Sequence, residues 1–285
     1  MIGGLKMTRR WYFIIGVLMA IIMLLIIVRG NLYDTVFSVL GWVKEKSGEQ
    51  VNIEEVYKSE SLPPDHVLWN DLVKAHVNQD GWVNYNGIKV DQKKLDEYLG
   101  ELSSHPPSHS WLQEEELAYW INAYNAFTIQ LILDHYPVKS IKDIGGSIPM
   151  INSPWDIKFF KIGDVAMDLN TIEHDILRKK LNEPRIHFAI NCASISCPLL
   201  RTEAYTADKL EFQLEEQAKI FLNDPAKNIL SPNEPNLSPI FKWFKSDFIT
   251  DQSLVEYINQ YAEVKISPTA KLKWMDYNWL LNETY

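Results

Sequence analysis

Residues 185–198, Arg-Ile-His-Phe-Ala-Ile-Asn-Cys-Ala-Ser-Ile-Ser-Cys-Pro, gather the chain's most reactive side chains into one stretch. Both cysteines of the chain are there. Cys192 and Cys197 are separated by small residues and closed by Pro198, a pattern that places them on a tight loop able to face a cleft. A thiol becomes a nucleophile when a nearby imidazolium stabilises its thiolate and a third group holds the base in one tautomer. The residues that fit are Cys192 as nucleophile, His187 as base, and Glu173 or Asn122 as the orienting group. The same side chains admit two other readings. Zinc takes closely spaced Cys and His, so His174, His187, Cys192, Cys197 and Glu173 are alternative ligands, with the cysteine gap at the edge of the usual range. The third is a binding or scaffold module in which Glu173, Arg185 and His187 form a structural network and the cysteines close a loop. Polar networks stabilise more often than they catalyse, and the module is the reading the sequence favours. His174 and Arg178, four apart on one flank, and Ser194, Ser196 and Cys197 on the loop complete the binding set. No cofactor is named by these residues.

These side chains need elements to hold them. Ile186, Phe188 and Ile190 alternate with Arg185, His187, Ala189 and Asn191, which predicts a strand over 185–191. Upstream, a capping box at Ser110 opens the longest helix of the domain, running to about His135 with Leu117, Trp120, Ile121, Tyr124, Phe127, Leu131 and Ile132 as its core face. Asn122 and Asn125 sit three apart on an adjoining stripe, and an unpartnered buried amide costs ~1–3 kcal/mol, so each must bond a neighbouring backbone or serve the site. Gly163-Asp164 joins 157–162 to 165–167 as a hairpin. Asp168 caps a helix over 169–181 that carries Glu173 inward, to be paired with a cation such as Arg185 or with His187. Further helices are expected from Thr206 to about Asn223 and over 253–262, with 277–282 packing back onto the core. The fold class is α+β, helices on a small, mainly antiparallel sheet.

Charge and hydropathy set the surroundings. The chain has 285 residues, 28 Lys and Arg against 37 Asp and Glu, and a net charge of −9; four of the bases lie in the first thirty residues, which hold no acid. So acidic a remainder repels nucleic acid. Residues 11–28 carry no charge and as a helix would rise about 27 Å, enough to span a bilayer, with Lys6, Arg9 and Arg10 on the inner side. The expectation is a cytoplasmic N-terminus over 1–10, one transmembrane anchor over 11–28, a juxtamembrane linker over 29–64, and a single extracytoplasmic domain over 65–285. There the cysteines could persist as a disulfide. The membrane is then a partner; a protein or small-molecule partner is not specified.

Several segments resemble the family known as domain of unknown function 547. They are residues 119–126, Tyr-Trp-Ile-Asn-Ala-Tyr-Asn-Ala; 135–141, His-Tyr-Pro-Val-Lys-Ser-Ile; 153–155, Ser-Pro-Trp; 172–178, Ile-Glu-His-Asp-Ile-Leu-Arg; 184–189, Pro-Arg-Ile-His-Phe-Ala; 192–198, Cys-Ala-Ser-Ile-Ser-Cys-Pro; 223–225, Asn-Asp-Pro; and 277–279, Tyr-Asn-Trp. They stand in the family's order across residues 65–282, with Asn278 where the family more often has aspartate. The resemblance implies kinship and no particular activity. The helix through Trp120 is also faintly similar to the core helix of transglutaminase-like and papain-like enzymes, which place a cysteine at the helix start, where this chain has none.

Overall fold

A computed structural model describes residues 51–284 apart from 59 and 146–152. Its centre is the helix Gln113–His135, buried from Glu116 to Leu133 except at Gln130. A helix apolar on every side has to be enclosed by other elements, and Tyr85–Val90, Gln92–Ser104 and Thr171–Lys180 pack on it. The helix begins later than Ser110: Glu115 reaches back to accept the Leu112 N–H at 2.7 Å, and Tyr136-Pro137 ends it. Helix Val67–His76 lies against Gln92–Ser104. Val56 and Tyr57, in the stretch read from sequence as linker, are buried in the same cluster.

The segment after the Asp168 cap is a π-helix, Thr171–Lys180, its wider winding shown by the Leu181 N–H donating to Ile176 O at 2.9 Å. Asp168 Oδ1 accepts the Thr171 N–H at 2.7 Å and its hydroxyl at 2.9 Å. Glu173 is buried on this helix.

The strand expected over 185–191 is absent. Pro184–Phe188 forms a 3-10 helix instead, begun by Pro184 at its first turn and by Glu183, whose carboxylate accepts the Arg185 N–H at 2.9 Å. The period-two alternation has another cause: two separate cores meet here. Ile186 enters the cluster around the central helix, while Phe188 enters a second cluster with Phe221, Phe241, Phe248 and Tyr257. In a helix of three residues per turn, positions two apart point in different directions.

Nor is there one small antiparallel sheet. The described residues are helix-rich with two separate two-stranded sheets among them: the hairpin Phe160–Ile162 with Val165–Met167, antiparallel in the register Phe160↔Met167, and the parallel pair Asn236–Leu237 with Lys273–Trp274. The helices Leu210–Asn223, Ile240–Trp243, Lys245–Phe248 and Leu254–Tyr261 build the second cluster.

The expectations for the first fifty residues, including the 11–28 anchor, lie outside the described residues. Among the described ones no helix is long and apolar enough to cross a membrane; the 23-residue central helix carries Glu114, Glu115, Glu116 and Asp134. The single-pass, signal-anchored, extracytoplasmic assignment, with the membrane as partner, is corrected on that finding.

Candidate functional site

The sequence candidates fall into two centres. The first is ionic and lies between the π-helix and the segment 244–248. Arg178 donates through Nε and Nη2 to both oxygens of Asp247, at 2.5 and 2.9 Å, and its Nη1 lies 2.7 Å from His174 Nδ1. His187 Nε2 lies 2.7 Å from Asp247 Oδ2, its ring stacked on Phe244 at 4.1 Å and edge-on to Phe248 at 5.3 Å. Burial holds the His187 pKa below its usual range, with Asp247 and the charge of Glu173 opposing the shift. For Asp247, burial alone would raise the pKa, but hydrogen bonds from His187 and Arg178 outweigh it and hold the carboxyl well below the usual range. Glu173 accepts the Tyr124 hydroxyl at 3.1 Å. Arg185 is elsewhere. It is bidentate to Glu183 and reaches Glu211 at 2.6 and 2.9 Å.

The second centre is the cysteine loop, held from beneath by amides. Asn125 accepts the Asn191 N–H at 2.8 Å and donates to Ala189 O at 3.0 Å. Asn191 in turn accepts the Ala193 N–H at 2.7 Å and donates to Pro198 O at 2.7 Å, which cinches the two ends of the loop. Gln217 donates to Phe188 O at 3.1 Å and to Leu199 O at 3.0 Å. Asn122 does the same service one turn away, clamping the Tyr205 backbone at 2.8 and 3.0 Å; it touches neither His187 nor a cysteine.

From above, the C-terminal segment crosses the loop as a strap. Ile195 N–H donates to Leu280 O at 2.8 Å, Asn282 N–H donates to Ala193 O at 3.2 Å, and Ser196 Oγ accepts the Asn278 N–H at 2.8 Å. The strap thereby delivers Tyr277 onto the sulfurs. Its hydroxyl lies 3.1 Å from Cys197 Sγ and 3.6 Å from Cys192 Sγ, and Ser194 Oγ bridges them at 3.2 and 3.1 Å. Cys197 Sγ also accepts the Cys192 N–H at 3.1 Å. Both cysteines are free thiols.

Residues 108–222 match the family model described as a protein of unknown function, DUF547. Over those residues the chain is similar to the DUF547 family. Neither a curated protein nor a solved structure matches the chain. The DUF547 match contains Cys192, Cys197, His187, Glu173, His174, Arg178 and both clamping asparagines; Asp247 and Tyr277, which complete the two centres, lie beyond it. Sequence reasoning missed both. Asp247 has no local signature, whereas Tyr277 stands within one of the short segments that carry the resemblance.

The electrostatics of the DUF547 thiols are asymmetric. Burial alone would raise Cys197, yet hydrogen bonds from Cys192, Ser194 and Tyr277 outweigh it and bring its pKa down to about 6. Cys192 is pushed well up by donating to Cys197, by burial and by the negative charge beside it. The donors converging on Cys197 thus favour its ionisation ahead of Cys192. Lys227, whose ammonium donates to Ile195 O, and Lys142 act on these charges from either side. His187 is not among the groups that set the pKa of either cysteine.

Tyr277, whose hydroxyl reaches Cys192 Sγ, belongs to a rim of four rings. Tyr277 is 4.5 Å from Trp279 and 4.9 Å from Trp243, and Trp279 is 5.8 Å from Trp155 and 5.9 Å from Trp243. The Lys142 ammonium sits 3.6 Å over the Trp279 ring. Trp243 is 41% exposed and the other three rings are part-buried.

Proposed function

We propose that this chain is a binding module whose ligand face is the aromatic rim joined to the cysteine loop through Tyr277, and that the ionic centre is structural. One observation carries the reading: three tryptophans and a tyrosine share a partly exposed surface with a lysine ammonium on one ring. Large rings kept half in water are rarely left without a use, and they offer stacking area beside a polar tip. A flat or ring-shaped ligand bearing an anionic group suits that chemistry, its ring on Trp243 and Trp279 and its charge against Lys142. The ionic centre serves this face. Phe244 stacks on His187 and lies under Arg178, so the pairing with Asp247 fixes the short helices that present Trp243.

Thiol catalysis by Cys192 with His187 as base is less well supported, because the sulfurs' hydrogen-bond partners are Ser194, Tyr277 and the Cys192 N–H, while His187 bonds Asp247 between two phenylalanines. For zinc, no group of three or more His, Cys, Asp or Glu is placed to hold a metal among the described residues.

Anilinonaphthalene sulfonate, a fluorescent aromatic anion, tests the reading. Titration of the native protein should show saturable binding of one probe per chain, lost in Trp279→Ala and weakened roughly fivefold in Lys142→Gln, the worth of a ~1 kcal/mol charge contact. Non-saturable fluorescence, or binding indifferent to both substitutions, would contradict it.

A further inference from the structure

The two cysteines support chemistry of their own, separate from binding at the rim. Their sulfurs share the same two hydroxyls, Ser194 at 3.1 and 3.2 Å and Tyr277 at 3.6 and 3.1 Å, and Cys197 additionally accepts a backbone N–H. Three donors converging on two adjacent sulfurs stabilise one thiolate without any imidazole. The sulfurs also differ in access: Cys197 is 4% exposed, while Cys192 is part-exposed. The backbone between them is strained, with Ala193 at φ 60°, a left-handed conformation that residues with a Cβ disfavour. The Asn191 side chain and the Asn282 N–H hold it there. Strain maintained by dedicated hydrogen bonds beside a reactive group points to a functional constraint on the loop.

We infer that Cys192 and Cys197 form a redox-active dithiol that reduces small disulfides, with Cys192 as the attacking sulfur and Cys197 as the resolving one. The Cys192 proton passes to Cys197, and the Cys192 thiolate attacks one sulfur of the incoming disulfide, forming a mixed disulfide and expelling the first thiolate. That leaving group takes the proton from Cys197. The Cys197 thiolate then attacks Cys192 Sγ, closing the loop disulfide and expelling the second thiolate. Two electrons pass from the protein to the substrate; a dithiol holding one proton and one disulfide become a protein disulfide, one thiol and one thiolate. Shared hydrogen-bond donors already hold the sulfurs side by side, so closure requires a local loop movement to the ~2.05 Å bond length. Lys227, donating to Ile195 O, tethers the middle of the loop during that movement. The hydroxyls that cradle the resting thiolate come from the loop itself and from the strap, so removing the strap's tyrosine weakens the site without touching either sulfur.

The full chain, reduced and freed of reductant, is incubated with bis(hydroxyethyl) disulfide and read by intact mass and by alkylation after denaturation. Wild type should lose two hydrogens, retain no adduct and resist alkylation at both cysteines. Cys197→Ser should retain one mercaptoethanol adduct on Cys192. A wild type that keeps two alkylatable thiols in excess probe, or that carries a stable adduct with no internal disulfide, overturns the inference. The wild-type mass alone decides, so the test survives a Cys197→Ser variant that fails to fold.

Discussion

Asp247→Ala is expected to destabilise the domain by about 2–4 kcal/mol. Breaking a fully buried ion pair by removing one partner costs about 3–5 kcal/mol. The expectation here is set lower because the Arg178 and Asp247 side chains keep 21% and 18% exposure. The loss falls on two partners at once, since the same carboxylate accepts from Arg178 and pairs with His187. Urea unfolding followed at several pH values adds a second readout. Asp247 has its folded pKa depressed below 3.8, so its contribution is present above that pH and lost as pH falls through the folded value. His187 is also depressed, from 6.5, so below that pH the unfolded chain takes a proton that the folded ring refuses, and stability falls as the solution is acidified. The variant should therefore lose the decline attributable to the carboxylate below about pH 4 while keeping the histidine decline that begins near pH 6.5. A variant with wild-type stability at neutral pH would show that the ionic centre does not hold the segment 244–248.

Trp120→Ala is expected to cost about 3–5 kcal/mol, the usual range for emptying an aromatic site that cannot collapse. Trp120 has no exposed surface and packs edge-on to Tyr119 at 5.0 Å. It sits on the same helix as Asn122 and Asn125, which clamp the backbone at Tyr205, Ala189 and Asn191. Loosening that helix should carry to the cysteine loop. Thermal and chemical unfolding measure the first effect, and faster alkylation of the buried Cys197 under native conditions measures the second. A loss below about 1 kcal/mol would mean that neighbours refill the site.

Much of this architecture follows from local rules. The central helix is legible because its apolar residues recur at helical spacing and Tyr136-Pro137 stops it. The hairpin is legible because Gly163, at φ 58°, supplies the turn conformation that side chains disfavour. Asn122 and Asn125 are readable as groups needing partners, since a buried amide without one is costly. The stretch 185–191 misleads for a physical reason: alternation implies one buried face only when a single core lies beside it, and here Ile186 and Phe188 serve two. Arg185 suggests a partner for Glu173, yet the nearer Glu183 and the adjacent helix's Glu211 claim it first. Asp247 and Tyr277 reach their centres from 60 and 80 residues away from His187 and Cys197. No spacing rule connects such pairs; only the folded chain does.

The division into two centres rests on His187 belonging to Asp247 and not to the thiols. The pH profile of Cys192 alkylation by iodoacetamide, compared between wild type and His187→Gln at a temperature where both are folded, measures this directly. Identical midpoints are expected, because the second sulfur, burial and the hydroxyls of Ser194 and Tyr277 set the Cys192 pKa. A midpoint displaced by the substitution would make His187 the base of the cysteine site and merge the two centres into one.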